Sequence, residues 1–342
     1  MRRRLLAAAL AVAAAATLAA CGERTEPTAA PRQRPVSLML DFFPNADHAG
    51  IYAAMANGSF AKAGIDLHVQ TPSDPASPLK LLEAGRVDLA ISYEPELLLA
   101  RERGAKLVSV GAIVQKPLTS IIAIKGSKVH SAASLAHKTV GTAGIPYQSA
   151  YLHTIEDHAG VPPSSVKEVN VGFNLVPAML SKRVDATLGG FWNYEGVQLR
   201  LAHKSPTIIR MENAGVPTYD ELIVVARVAT AHDHGEMIRR FMQALSEGYR
   251  ALKANPQAGV QPLLKANKDL DPKLQLASVR ATLPVFFPAD SSKPFGWMGP
   301  AQWDAYGRWL FRNGILKQPP DAAGAMTDEF LPGQGSQSQP AQ

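Results

Sequence analysis

Between residues 36 and 230, short apolar runs suited to strands alternate with mixed runs suited to helices, and this alternation limits the possible folds more than any other feature. VSLMLDF (36–42) reads as a strand and HAGIYAAMANGSFAKAG (48–64) as a helix stopped by Gly64. DLHVQTP (66–72) alternates as a strand, with Leu67 and Val69 on one face. PLKLLEAGR (78–86) suits a helix, DLAISY (88–93) a strand and PELLLARERG (95–104) a helix. KLVSVGAIV (106–114) and SIIAIKG (120–126) suit strands. A βαβαβ order requires a mostly parallel sheet with helices on both faces.

A second unit follows the same plan. TVGTAG (139–144) is a strand running into a glycine turn, and QSAYLHTIEDHAG (148–160) is a helix with Ala150, Tyr151, Ile155 and His158 near one face. VKEVNV (166–171), DATLGGFW (185–192) and TIIRM (207–211) read as strands, with helices at LVPAMLSKR (175–183) and EGVQLRLAHK (195–204). DELIVVARVAT (220–230) returns toward the first unit, and the chain is helical from Gly235. In GEMIRRFMQALSEGYRALKAN (235–255), Ile238, Phe241, Met242, Leu245 and Tyr249 form one apolar stripe. QWDAYGRWLFRNGI (302–315) is a further amphipathic helix. Two α/β units joined by two crossings predict a hinged cleft, with lobe I at 36–126 and 228–332 and lobe II at 127–227. The length of 342 residues suits about two domains.

The amino terminus has the form of a targeting segment. Arg2, Arg3 and Arg4 precede an apolar run from Leu5 to Ala20, which is short for a bilayer span of ~20 residues. The run ends in Leu18-Ala19-Ala20-Cys21, which resembles the bacterial lipobox, and Cys21 is the only cysteine of the chain. Residues 1–20 are thus expected to be a signal peptide, with Cys21 lipidated and 21–35 an extended tether. The alternative is an ordinary signal peptide with an incidental cysteine. Residues 333–342 (GQGSQSQPAQ) read as a disordered tail. One cysteine excludes an intramolecular disulfide and any cysteine-cluster metal site. Three of the six net positive charges belong to the leader, and the remaining basic residues are dispersed, so no nucleic-acid partner is expected.

Ligands of open α/β sheets bind outside the carboxyl ends of the strands. Those ends here carry aromatic and short polar or acidic residues: Asp41, Phe42, Asn45 and His48; Tyr93 and Glu94; Tyr147 with Gln148; Phe191, Trp192, Asn193 and Glu195; and Tyr219. Aromatic faces hold a flat ring, and carboxylates or amides match an edge that presents an amino donor beside a ring-nitrogen acceptor. If the segment after Gly190 stays extended, Phe191, Asn193 and Glu195 converge while Trp192 and Tyr194 point elsewhere; a turn there reverses the choice, which keeps Trp192 an equal candidate. The opposing unit supplies Asp41, Phe42 and Tyr93. Apart from Lys116 these turns lack Lys and Arg, which disfavours sulfonates, phosphates and dicarboxylates. The competing reading of each aromatic is core or hinge packing.

With those residues in view, LMLDFFPNADHAGIYAAMANGSFAKAGIDL, PSDP, LLEAGRVDLAISYEPEL, GGFWNYEG (189–196) and AQWDAYGRWLFRNGIL (301–316) resemble the bacterial formylaminopyrimidine-binding lipoproteins of ABC transporters. That family is shared with the eukaryotic-type thiamine-pyrimidine synthases. The resemblance covers most of residues 36–332. It implies the type II periplasmic-binding-protein fold, an aminopyrimidine thiamine precursor as ligand, a permease with its ATPase as partners, a lipid-anchored monomer outside the cytoplasmic membrane, and no cofactor or catalysis. It also raises the synthase alternative, in which a lysine holds pyridoxal phosphate and a histidine lies four residues on. Here those positions are Ser92 and Glu96, and serine cannot form a Schiff base. Other ligands open to such a receptor are a riboflavin-like heterocycle and a sulfonate or taurine.

The remaining motifs are weaker. His232-Asp233-His234-Gly235-Glu236 offers two metal donors without a clear third, so no metal is expected. Gly141-Thr142-Ala143-Gly144 lacks the Gly-Lys-Ser/Thr ending of a P-loop, and the sequence has no G-x-S-x-G elbow.

Overall fold

The computed structural model describes residues 33–334. The leader, Cys21, most of the tether and the tail from 335 lie outside the described residues. Among the described residues ten strands run in order: β1 (Arg34–Met39), β2 (Ile65–Gln70), β3 (Leu89–Ser92), β4 (Leu107–Val114), β5 (Thr119–Ala123), β6 (Thr139–Thr142), β7 (Lys167–Asn170), β8 (Ala186–Phe191), β9 (Thr207–Arg210) and β10 (Leu222–Arg227). They form two five-stranded sheets of matching plan, β2-β1-β3-β10-β4 and β7-β6-β8-β5-β9. The first three strands of each sheet are parallel, while β10 and β5 run antiparallel to both neighbours.

This topology corrects the expected boundaries in three places. The strand expected at 120–126 lies in the second sheet, not in lobe I. β10, read from the sequence as returning toward the first unit, does lie in the first sheet, so the expected lobe II boundary at 227 falls one strand too late. The chain leaves the first sheet at Lys116-Pro117, where proline cannot donate to a ladder, and returns between β9 and β10. The first strand also begins at Arg34, inside the expected tether.

Twelve α-helices among the described residues cover the sheets: α1 (Ala49–Ala56), α2 (Ser59–Lys62), α3 (Pro78–Glu83), α4 (Glu94–Glu102), α5 (Pro146–His158), α6 (Leu175–Leu180), α7 (Glu195–Leu201), α8 (Val228–Asp233), α9 (Gly235–Ala254), α10 (Gln257–Ala266), α11 (Pro272–Thr282) and α12 (Pro300–Arg312). The helix expected over 48–64 is split. A 3-10 turn at Ala46–His48 precedes α1, and Gly58, left-handed at φ 77°, separates α1 from α2. The stripe read on α9 is wholly buried, whereas His158 of α5 is exposed. Glycine and alanine let α1 pack closely: a Cβ on Gly248 of α9 would stand 2.1 Å from the carbonyl oxygen of Gly50. No helix among the described residues is long and apolar enough to cross a membrane.

Candidate ligand-binding site

The carboxyl ends of β1, β3, β6 and β8 meet at a narrow cleft between the two sheets, with about 380 Å3 of space between atoms when the part open to solvent is included. From the first lobe come Asp41, Phe42, Asn45 and Tyr93; from the second come Ala143, Ile145, Tyr147, Gln148, Leu175, Gly189, Phe191, Tyr194 and Glu195. The lining carries two carboxylates, one from each lobe, and no Lys, Arg or His.

Asp41 is held firmly. The backbone N–H of Asn45 donates to Nδ1 of His48 (3.2 Å), which fixes the imidazole tautomer so that Nε2–H donates to Oδ1 of Asp41 (2.9 Å). The Tyr93 hydroxyl donates to the other oxygen, Oδ2, at 2.8 Å. His48 itself is wholly buried behind Asp41 and does not line the cleft. Asn45 caps the short 3-10 turn by accepting from the Asp47 N–H at 2.8 Å.

Glu195 opens α7, and its Oε2 accepts the backbone N–H of Phe191 at 2.7 Å. Burial pushes its carboxyl up to about 7, opposed by that hydrogen bond and reinforced by Asp47 and Asp41. Gln148 spans the turn after β6, its Oε1 accepting from Ala143 N–H at 2.8 Å. Gly189 makes room for it: the residue sits at φ +112°, and a Cβ there would meet Gln148 Nε2 at 2.4 Å. The rings of Tyr93 and Tyr147 approach across the lobes at 5.7 Å, and those of Phe42 and Phe173 at 4.5 Å in an edge-to-face contact.

Of the twelve candidates read from the sequence, Asp41, Phe42, Asn45, Tyr93, Tyr147, Phe191 and Glu195 line the cleft. The other five do not. His48 stands behind Asp41. Glu94 starts α4 and turns to the loop before β10, where its Oε2 accepts Asp220 N–H at 2.7 Å; burial, and secondarily Asp220, hold its carboxyl well above the usual range. Trp192 donates its indole N–H to Pro117 O at 3.0 Å and lies under Arg210, whose guanidinium carbon is 4.1 Å from the ring centroid. Asn193 is buried against Asp47 and Thr282. Tyr219 stacks on Tyr306 at 5.0 Å, and its hydroxyl donates to Glu221.

The expected alternation failed at one point. β8 ends at Phe191, and residues 192–194 turn into α7, with Tyr194 at φ −115°, ψ −74°. The turn exchanges the roles of neighbours, putting Tyr194 in the cleft and Asn193 outside it. The glycine turn supplied a signal for Gln148, whereas Ile145, Leu175 and Phe173 carry none beyond apolar character. His232 and Asp233 pair at 2.7 Å on the surface, and no group of three or more possible metal ligands exists among the described residues.

Two α/β lobes joined by two crossings, with a cleft at the carboxyl strand ends, are the type II periplasmic-binding-protein fold. The same fold appears in the alkanesulfonate-binding protein SsuA of Xanthomonas axonopodis pv. citri bound to MOPS, with a TM-score of 0.65 at 18% identity over 87% of this chain and 99% of that one. The chain belongs to the NMT1/THI5-like family, whose model matches residues 45–259. Among its relatives, the formylaminopyrimidine-binding protein of Halalkalibacterium halodurans is 32% identical over 300 residues, 86% of this chain and 90% of the other. A 4-amino-5-hydroxymethyl-2-methylpyrimidine phosphate synthase of Legionella pneumophila subsp. pneumophila is 24% identical over 87% of this chain and 92% of its own length.

Proposed function

We propose that this protein is the extracytoplasmic solute-binding component of an ABC importer, and that it captures an aminopyrimidine precursor of thiamine, formylaminopyrimidine or hydroxymethylpyrimidine, without transforming it. The observation that carries this reading is the lining of the cleft: two opposed carboxylates and five aromatic rings, with no cation. A carboxyl group suits the amino-bearing edge of such a ring, and aromatic walls suit its faces. A sulfonate would meet two carboxylates and no compensating charge. The similarity to a formylaminopyrimidine-binding relative over most of both chains supports the same ligand class.

The synthase alternative does not suit this donor set. Ser92, where the resemblance expects the lysine, is buried in β3, and its hydroxyl donates to Glu96 Oε2 at 2.7 Å. The cleft lining has no lysine to hold pyridoxal phosphate. The protein is therefore read as a receptor that hands its ligand to a permease.

Thermal melting of the full chain tests the ligand. Hydroxymethylpyrimidine or formylaminopyrimidine at ~100 times the dissociation constant should add ~2.7 kcal/mol, and taurine should add nothing. A shift with taurine and none with either pyrimidine overturns the reading. Anchoring through Cys21 is tested separately: Cys21→Ala should abolish labelling by radioactive fatty acid, and equal labelling of both forms rejects it.

A further inference from the structure

Two consecutive residues of the second lobe, Asn193 and Tyr194, reach the same helix of the first. Asn193 Nδ2 donates to Asp47 Oδ1 at 2.7 Å and to Thr282 Oγ1 at 2.6 Å. Tyr194 OH accepts from Gln275 Nε2 at 3.0 Å. Gln275, Ser278 and Thr282 all belong to α11, which packs on the 3-10 turn bearing Asp47. Tyr194 also lines the cleft, and Glu195 follows it directly.

The contact is sealed but incompletely paired. Asn193, Gln275 and Thr282 have no exposed surface, and Asp47 is 1% exposed. Yet Asp47 Oδ2, Asn193 Oδ1, Gln275 Oε1 and Ser278 Oγ find no partner, half of the eight buried orphan side-chain atoms among the described residues. When the lobes part, water reaches all four; when they meet, the contact gains a few hydrogen bonds and forfeits that hydration. Such a contact has strict geometry and little net strength, so the empty protein divides between open and closed forms and ligand energy completes the closure.

We propose that Asn193, held by Asp47 and Thr282, is a positioning residue that latches the lobes shut and sets ligand affinity without touching the ligand. The latch brings Tyr194 and Glu195 to the cleft only when the lobes are closed. In this it builds on the receptor reading for its ligand but not for its geometry.

The test uses the full chain with Cys21→Ala, spin-labelled at the exposed positions Lys62→Cys and Arg183→Cys, one on each lobe. Electron double resonance gives the interlobe distance distribution with and without hydroxymethylpyrimidine, and calorimetry gives its affinity. Asn193→Ala should move the distribution away from that of the liganded parent and weaken binding ~10-fold. Asn193→Asp, which sets two carboxyl groups together, should do so more strongly. The exchange Asn193→Asp with Asp47→Asn reverses donor and acceptor and should restore both readouts to within ~3-fold, a rescue that general damage to folding would not give. Distributions equal to the parent's in Asn193→Ala, with and without the pyrimidine, overturn the latch. So does failure of the exchange to restore the distribution. Loss of pyrimidine binding by the parent overturns the ligand reading alone, because the ligand-free distributions still decide the latch.

Discussion

At the scale of single residues, the cleft depends on acids kept in place by neutral donors. Glu195 is the one whose role is most open to measurement. Glu195→Gln keeps an acceptor for the Phe191 N–H, so the turn into α7 should survive. The loss is the carboxyl's charge and its exchangeable proton, a charge-assisted hydrogen bond worth ~1.5–3 kcal/mol, or roughly 10- to 150-fold in pyrimidine affinity by calorimetric titration. Melting of the ligand-free variant should not fall, because a strained buried acid has been removed. Unchanged affinity takes Glu195 out of the site, and a large fall in melting temperature assigns it to the fold. Much of this site was legible because strand ends are punctuated in the sequence: Asp41, Tyr93 and Phe191 each follow an apolar run. Asn193 and Tyr194 were misassigned because a period of two was carried past the last ladder residue of β8, where a helix-entering turn had already replaced it. Whether Trp192 faces solvent, hinge or ligand depended on Pro117 and Arg210, which lie 75 and 18 positions away and leave no local trace.

Among elements, α1 shows how composition sets spacing. AGIYAAMA has little amphipathic character, and its Ala49, Gly50, Ala53 and Ala54 allow α9 and α10 to approach its backbone. On α9 the residue facing it is Gly248, where a Cβ would lie 2.1 Å from Gly50 O and 2.8 Å from Ala54 N. Backbone atoms cannot swing aside as side chains do. Gly248→Ala should therefore lose more from overpacking, ~1–3 kcal/mol or above, than the ~1 kcal/mol that alanine gains as a helix former. We expect a net loss of ~2 kcal/mol, read as a lower urea midpoint at unchanged slope. A variant as stable as the parent would mean that the two helices separate at small cost. The strong stripe of α9 made that helix legible from sequence, whereas α10 and α11 were covered only by a general expectation of helix.

At the scale of the whole molecule, buried acids outnumber buried bases among the described residues. Asp47, Glu96, Glu195, Asp220 and Glu221 are each pushed up to about 7, in every case chiefly by burial. Their ordinary values are 3.8 for Asp and 4.5 for Glu. Between those values and about 7 the folded chain holds protons that the unfolded chain has released. Folding stability is thus greatest toward the acid end of that window and declines as pH rises through about 7. The melting temperature should be higher at pH 5.5 than at pH 8. A flat or opposite trend would show that these carboxyls ionise in place. The mostly parallel layout of both sheets and the return of β10 toward the first unit were legible from the sequence, but the ownership of β5 was not. An antiparallel strand at a crossing has the same apolar pattern as its parallel neighbours, and only its partners across the sheet reveal its side.

The strand exchange at the crossings also has a consequence for the order in which the molecule is made. All five strands of the second sheet lie within one continuous stretch, from Thr119 to Arg210, so a growing chain can finish that lobe on its own. The first sheet must wait. Its β10 inserts between β3 and β4, and until Arg227 has been synthesised both of those strands present bare edges, one of them the wholly buried run LVSVGAIV. Apolar unpaired edges are templates for association with other chains. A truncated product ending before Leu222 would thus leave an edge of both strands unpaired and is expected to associate with other chains.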